Sequence, residues 1–373
     1  MAAFTIGNMC NREHINYPSH VSGGEVQYGG PRDSPQLRRA CLRVHAEATI
    51  NFVASCTERK RATIPPDLRL RSVDAGPMAR RVEQWWERLG QQAPRYIARD
   101  LYAGEHWSVV QDALALLGDA SLWVASAGYG LIAASANVLP YSATFAQGTP
   151  DSVTSGRAPG QSRVDLLQAW WSALCDLPGP QKGVPRSLGA LARSAPNAPL
   201  LIVGSPDYIR AMRLDLLAAR DALATPHLLT VISNHDLGSD AALAPHLIPV
   251  DERCRTLLGG TMQGLNARVA RSLLEWGRSG PLTAPRLRER YDSMVSDAEK
   301  PPKFNRDRMD DKDVLAFLRG ALTEDPRAGW TLLLRTLRAN GRACEQGRFR
   351  ELHRQVREEL AQTPQQGLKL GQD

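Results

Sequence analysis

Cys56, Glu58 and Lys60 follow directly on the apolar run Ile50, Phe52, Val53 and Ala54. A thiol, a carboxylate and an ammonium at one strand end supply a nucleophile, a proton carrier and a cation to hold developing negative charge. Thiol chemistry of one kind fits this set well. A sulfur adds to a nitrile carbon to give a thioimidate, water adds next, and collapse releases an amide. The plainer reading of Cys56 is a small apolar residue that packs at the end of a strand. A second polar cluster, Ser126, Gly128, Tyr129 and Gly130, follows the apolar run Leu122 to Ala125. Its glycines permit a sharp turn. Tyr129, Tyr141 and Phe145 have the ring type that frames a planar heterocycle, while Ser126, Thr144 and backbone amides near Gly128 can bond its edges. The alternative for Tyr141 and Phe145 is packing against a sheet.

These residues need an α/β layer to position them. Short apolar runs predict strands over 50–55, 122–126, 200–204 and 228–233, and amphipathic spacing predicts helices over 77–89, 105–117, 164–175, 206–222 and 262–276. In an open sheet of this class, chemistry collects at the carboxyl ends of the strands. The stretches 148–161 and 177–199 are rich in Gly, Pro and Ser and predict loops, and 279–305 reads as a charged linker. Trp85, Trp86, Trp170 and Trp171 fall in predicted helices and are expected in the core or at an interface. Cys175, Cys254 and Cys344 read as structural.

Three motifs in order, Ser55–Cys56 with Lys60, then Ser126, Ala127, Tyr129, Gly130 and Leu131 with Pro140, Tyr141, Gly148 and Thr149, then Ser205 and Tyr208 in LLIVGSPDYIRAM, resemble those of the YaaA-like family. The resemblance spans roughly residues 50–274. It implies an α/β core sheet flanked by helices, with Cys56, Glu58 and Lys60 as catalytic residues and Ser55, Ser126, Gly128, Tyr129, Tyr141, Thr144 and Ser205 against the substrate. The chain is most similar to the YaaA-like members of bacterial 7-deazaguanine DNA modification clusters, which are implicated in converting 7-cyano-7-deazaguanine in DNA to its 7-amido form. Other members are known mainly as DNA-binding proteins, which makes a non-catalytic role in DNA protection or stress response the alternative. The resemblance also implies DNA and other proteins of such a cluster as partners, and no organic cofactor.

Two flanking regions depart from the family pattern. The extension 1–49 carries Cys10 with His14 and Cys41 with His45. Each C-x3-H pair would share one helix face, so the four residues could hold a structural zinc ion. In the helical region 281–373, Leu332, Leu333, Leu334 and Leu337 lie on one predicted helix, Asn340 and Gly341 break it, and a second helix restarts near Ala343. Arg335, Arg338, Arg342 and Arg348 surround that turn and predict phosphate contacts, giving a DNA-binding-like module. A packed helical hairpin with a solvated face is the competing reading.

The 373 residues include 43% hydrophobic ones and carry a formal charge of +7. That composition suits a globular chain with a large core and favours a polyanionic partner. Six cysteines make no dense disulfide framework. No apolar run is long enough to span a bilayer, and a cytoplasmic location is expected.

Overall fold

The computed structural model describes residues 50–118, 120–234, 240–277, 280–301 and 305–362. Cys10, His14, Cys41 and His45 lie outside the described residues. The centre is a six-stranded mixed sheet built from β1 (Ile50–Ser55), β2 (Ala120–Ser126), β3 (Gly130–Ala133), β4 (Leu200–Val203), β5 (Leu229–Asn234) and β6 (Leu247–Val250), in the order β3-β2-β1-β4-β5-β6. All neighbours are parallel except the β2–β3 hairpin. Parallel strands covered on both faces must be apolar throughout, and β4 accordingly reads Leu-Leu-Ile-Val with every residue buried.

Helices cover the sheet: α1 (Met78–Gly90), α2 (Glu105–Leu116), α3 (Arg163–Asp176), α4 (Leu188–Ser194), α5 (Pro206–Ala222), α6 (Arg253–Leu258), α7 (Leu265–Gly277) and α8 (Ala284–Val295). Ser162 and Ser187 cap α3 and α4 by accepting from the amides of Asp165 and Ala190. Pro206 starts α5, where a missing N–H costs nothing. Trp85, Trp170 and Trp171 are buried, as expected from their helical positions.

Several elements differ from the sequence expectation. Strand β3 was hidden in a Gly-rich turn, because its pairing partner is its own neighbour across three residues. Strand β6 carries Pro249, which a propensity reading penalises, yet it sits at the sheet edge where a missing donor is tolerated. Helix α4 lies inside the expected loop 177–199. Helix α8 lies inside the expected linker 279–305, and its Leu287, Tyr291 and Val295 join the main core. Tyr291 reaches the β6 edge and donates to the Pro249 carbonyl at 2.7 Å.

Helices α9 (Asp311–Glu324), α10 (Trp330–Ala339) and α11 (Gln346–Gln362) form a second, smaller core around Val314, Leu318, Leu334, Leu337, Phe349 and Val356. The expected helix, tight turn and helix is present, with Gly341 at φ +73° in the turn. Of the leucines on α10, Leu333, Leu334 and Leu337 are buried and Leu332 is exposed.

Candidate functional site at the strand switch

The chain leaves β1 toward β2 and β3, then returns to place β4 on the other side of β1. Strand order reverses between β1 and β4, and the carboxyl ends of strands flanking such a reversal leave a crevice. A cavity of about 760 Å³ opens there. That volume lies in the usual range for small-ligand sites. Its walls include Ser55 at the end of β1 and Cys56 just after it, Ser205 after β4, Asn234 at the end of β5, and Gly104, Glu105 and His106 at the start of α2.

Cys56 continues the ladder, its amide donating to the Ala125 carbonyl at 2.9 Å. This fixes its side chain, only 6% exposed, against the Tyr208 phenol, with Sγ and Oη 3.1 Å apart. Tyr208 comes from the first turn of α5 and is held edge-on by Phe145, with ring centroids 4.9 Å apart. The Tyr141 phenol stands near enough to the thiol to be influenced by its charge. Burial, reinforced by the neighbouring Cys56, holds both phenols well above the ordinary tyrosine range, so they act as hydrogen-bond donors at neutral pH.

Ser55 points to another part of the wall. Its Oγ lies 3.4 Å from Nε2 of His106. Burial lowers the His106 pKa to about 4, which keeps the imidazole neutral. Helix α2 begins at Glu105, next to His106, and α5 begins at Pro206, next to Ser205, so two helix N-termini meet the cavity and favour negative charge in it. Ser205 makes no capping bond with its side chain.

Thr144 and Ser205 line the cavity, and Glu58 stands exposed on its wall. Lys60 is turned inward. Its Nζ donates to the Thr57 carbonyl at 2.8 Å and sits 4.3 Å from the Tyr141 ring centroid. Burial pushes its pKa down despite Cys56, Glu58 and Asp151 nearby. The ammonium therefore stands beside the thiol's phenol network rather than in the open cavity.

Ser126, Gly128, Tyr129 and Tyr141, expected against the substrate, are placed elsewhere. They form a buried layer behind Cys56. Ser126 Oγ accepts from the amides of Gly128 and Tyr129 at 3.2 and 2.9 Å and bonds the Tyr141 hydroxyl at 2.6 Å. Tyr141 bonds Tyr102 at 3.1 Å. The turn's carbonyls are equally occupied: Trp170 and Trp85 indoles donate to Ala127 and Gly128, each at 2.8 Å. Arg186 adds bonds to the Tyr129 and Leu174 carbonyls at 2.6 and 2.8 Å, and also to Leu131. A β-carbon on Gly128 would stand 2.5 Å from the Tyr141 ring, so glycine is required for this packing. The physical reason for the difference is tertiary: with Trp85, Trp170 and Arg186 closing the turn, its polar groups are spent inside the protein.

One loop closes the opposite wall. Residues 261–263, preceded by Gly259 and Gly260 at φ +65° and +72°, line the cavity. Thr261 donates its amide to the Glu105 carboxylate at 3.1 Å, and Arg268 pairs with Glu105 while donating to the Thr261 carbonyl at 2.6 Å. Asn266, buried on the same wall, donates to the Gly204 carbonyl at 2.9 Å and supports the end of β4.

His106, Asn234 and Asn266 carried no sequence signal, since neither spacing nor motif links them to Cys56. Tyr208 was visible within its motif without a role. Three of the arginines expected to face DNA have partners within the chain: Arg338 donates to the Cys344 carbonyl at 3.3 Å, Arg342 stands 3.8 Å from Asp307, and Arg348 pairs with Asp311. Arg335 is exposed on α10. Among the described residues no cluster of His, Cys, Asp and Glu is placed to hold a metal ion, and no helix is long and apolar enough to cross a membrane. Comparison with protein-family models, curated proteins and solved structures gives no match, which leaves the geometry of the site as the basis for its reading.

Proposed function

We propose that this chain is a nitrile-hydrating enzyme acting on 7-cyano-7-deazaguanine in DNA, with Cys56 as nucleophile. The observation that carries the reading is a thiol on the wall of a cavity at the strand switch, with a protonated phenol 3.1 Å from its sulfur. The thiol adds to the nitrile carbon. Its proton passes to the Tyr208 oxygen as the Tyr208 proton passes to the nitrile nitrogen, giving a neutral thioimidate. Water then adds to the thioimidate carbon, and collapse of the tetrahedral adduct breaks the C–S bond, returns a proton to sulfur and leaves the amide. The net change is the gain of one water. The helix N-termini favour the negative charge that develops at nitrogen and oxygen. A base in a duplex must leave the stack to enter such a cavity.

The test is incubation with DNA containing the nitrile base, digestion to nucleosides and mass analysis. A gain of one water by the modified nucleoside supports the reading. No mass change under conditions where the DNA is bound overturns it.

The second reading, a non-catalytic DNA-binding protein, draws on the helix, turn and helix formed by α10 and α11, with Arg335 and Arg342 exposed beside the turn. It requires salt-sensitive DNA affinity that survives Cys56→Ala and falls when Arg335 and Arg342 are both changed to Gln. DNA is the partner in either case, and a cluster of modification proteins would supply the nitrile base.

A further inference from the structure

The nitrile reading assigns a route for the thiol proton and leaves the attacking water without a base. The phenols around Cys56 cannot serve, because burial keeps them protonated. Lys60 faces the Tyr141 ring and the Thr57 carbonyl. Glu58 is exposed to bulk solvent. Glu105 is held by the Thr261 amide and Arg268, which leaves His106 as the titratable group with the right placement. It lines the cavity, it is the second residue of α2, and it stands beside Ser55, the residue preceding the nucleophile. Side chains that follow one another along a strand end point to opposite sides. Cys56 accordingly meets Tyr208, while Ser55 meets His106. The two proton-handling groups thus stand on separate walls, which is what a nucleophile needs if the substrate carbon is to be approached by sulfur from one side and by water from the other.

Resting on the nitrile reading, we infer that His106 is the general base of the second half-reaction, taking a proton from the water that attacks the thioimidate, with Ser55 as the positioning residue that orients its ring. The water O–H bond breaks as the O–C bond forms, and the imidazole accepts the proton. The imidazolium hands that proton to the thioimidate nitrogen. The imidazole next takes the adduct's remaining O–H proton as the C=O bond forms and passes it to the sulfur as the C–S bond breaks, so the nitrogen ends with two protons, the imidazole neutral and the thiol restored. A ring held neutral by burial is in the correct form for this task throughout the physiological range.

The division of labour makes the two half-reactions separable. With DNA carrying 7-cyano-7-deazaguanine, His106→Gln is expected to slow amide formation by about 10²–10⁴-fold, while the protein accumulates a covalent adduct with the nitrile-bearing strand, visible by intact mass. The adduct is expected to be absent in the Cys56→Ala/His106→Gln double variant. Ser55→Ala should slow turnover by a smaller factor, and the acid limb of the wild-type pH profile should disappear in His106→Gln. A variant that forms amide within about threefold of wild type, or loses amide formation without an adduct while its circular dichroism matches wild type, overturns the assignment to water activation and leaves the nucleophile reading standing. Should the wild type form neither amide nor adduct, both fall. If His106→Gln does not fold, His106→Asn gives the same readout.

Discussion

The loop after β1 and the hairpin turn after β2 are similar as sequence, since each is an apolar run followed by small polar residues, yet they take opposite roles. After β1 the neighbouring strand ends and helix starts stand apart and leave a cavity. After β2 the chain folds straight back as β3, and two indoles and a guanidinium fill the turn. The polar groups of the first loop remain for a ligand, whereas those of the second are consumed in holding the first. Position relative to the strand reversal, rather than local composition, separates a reacting loop from a supporting one.

The contrast makes strong demands. Cys56→Ala should abolish turnover, with a loss on the order of 10⁴-fold or more, at a stability cost of roughly 1 kcal/mol. Nucleoside mass analysis and urea unfolding measure the two, and a variant that unfolds without losing rate would merge the regions again. Tyr208→Phe is expected to slow amide formation by about 10²-fold, with adduct formation, not adduct breakdown, as the step affected. Stopped reactions analysed by intact mass resolve the order.

Gly128→Ala tests the supporting side. Its β-carbon meets the Tyr141 ring, so unfolding stability should drop by about 1–3 kcal/mol, and any rate loss should follow from displacement of Tyr141. A smaller effect is expected at Asp151, which lies under the segment carrying Thr144. Burial pushes the Asp151 carboxyl up, but the bonds from Arg71, at 2.6 and 2.9 Å, and from Ser142, at 2.7 Å, outweigh it and bring the pKa down to about 2 from 3.8. A carboxylate with a depressed folded pKa stabilises above its unfolded value and loses that contribution as pH falls. About 1 kcal/mol, after solvent screening at the half-exposed Arg71, should therefore vanish between pH 4 and pH 2. Thermal melts of wild type and Asp151→Asn over that window check it; identical slopes would refute the assignment.

Much of the sheet was legible because parallel strands leave a strong apolar signature: β1 and α5 have the bounds their sequence predicts. The edge elements were not. Pro249 masks β6, and the charged, proline-containing segment around α8 hides a helix whose apolar side is supplied by Leu287, Tyr291 and Val295. In the site, Cys56 was legible as a thiol at a strand end. His106 was not, because it reaches Ser55 only through the fold and lies 51 residues away in sequence. The misplacement of Tyr129 and Tyr141 has the same origin: an aromatic ring's exposure depends on what else arrives to cover it, here helices α1 and α3.

The Ser126 hydroxyl carries one last consequence, that of direction. An alcohol oxygen has two acceptor positions and one proton. Two backbone amides, those of Gly128 and Tyr129, occupy the acceptor positions. The Ser126 proton must then point at the Tyr141 oxygen, and the Tyr141 proton is directed onward to the Tyr102 oxygen. The turn after the neighbouring strand thereby acts as a compass, setting one proton direction from Ser126 through Tyr141 to Tyr102 beside the reacting end.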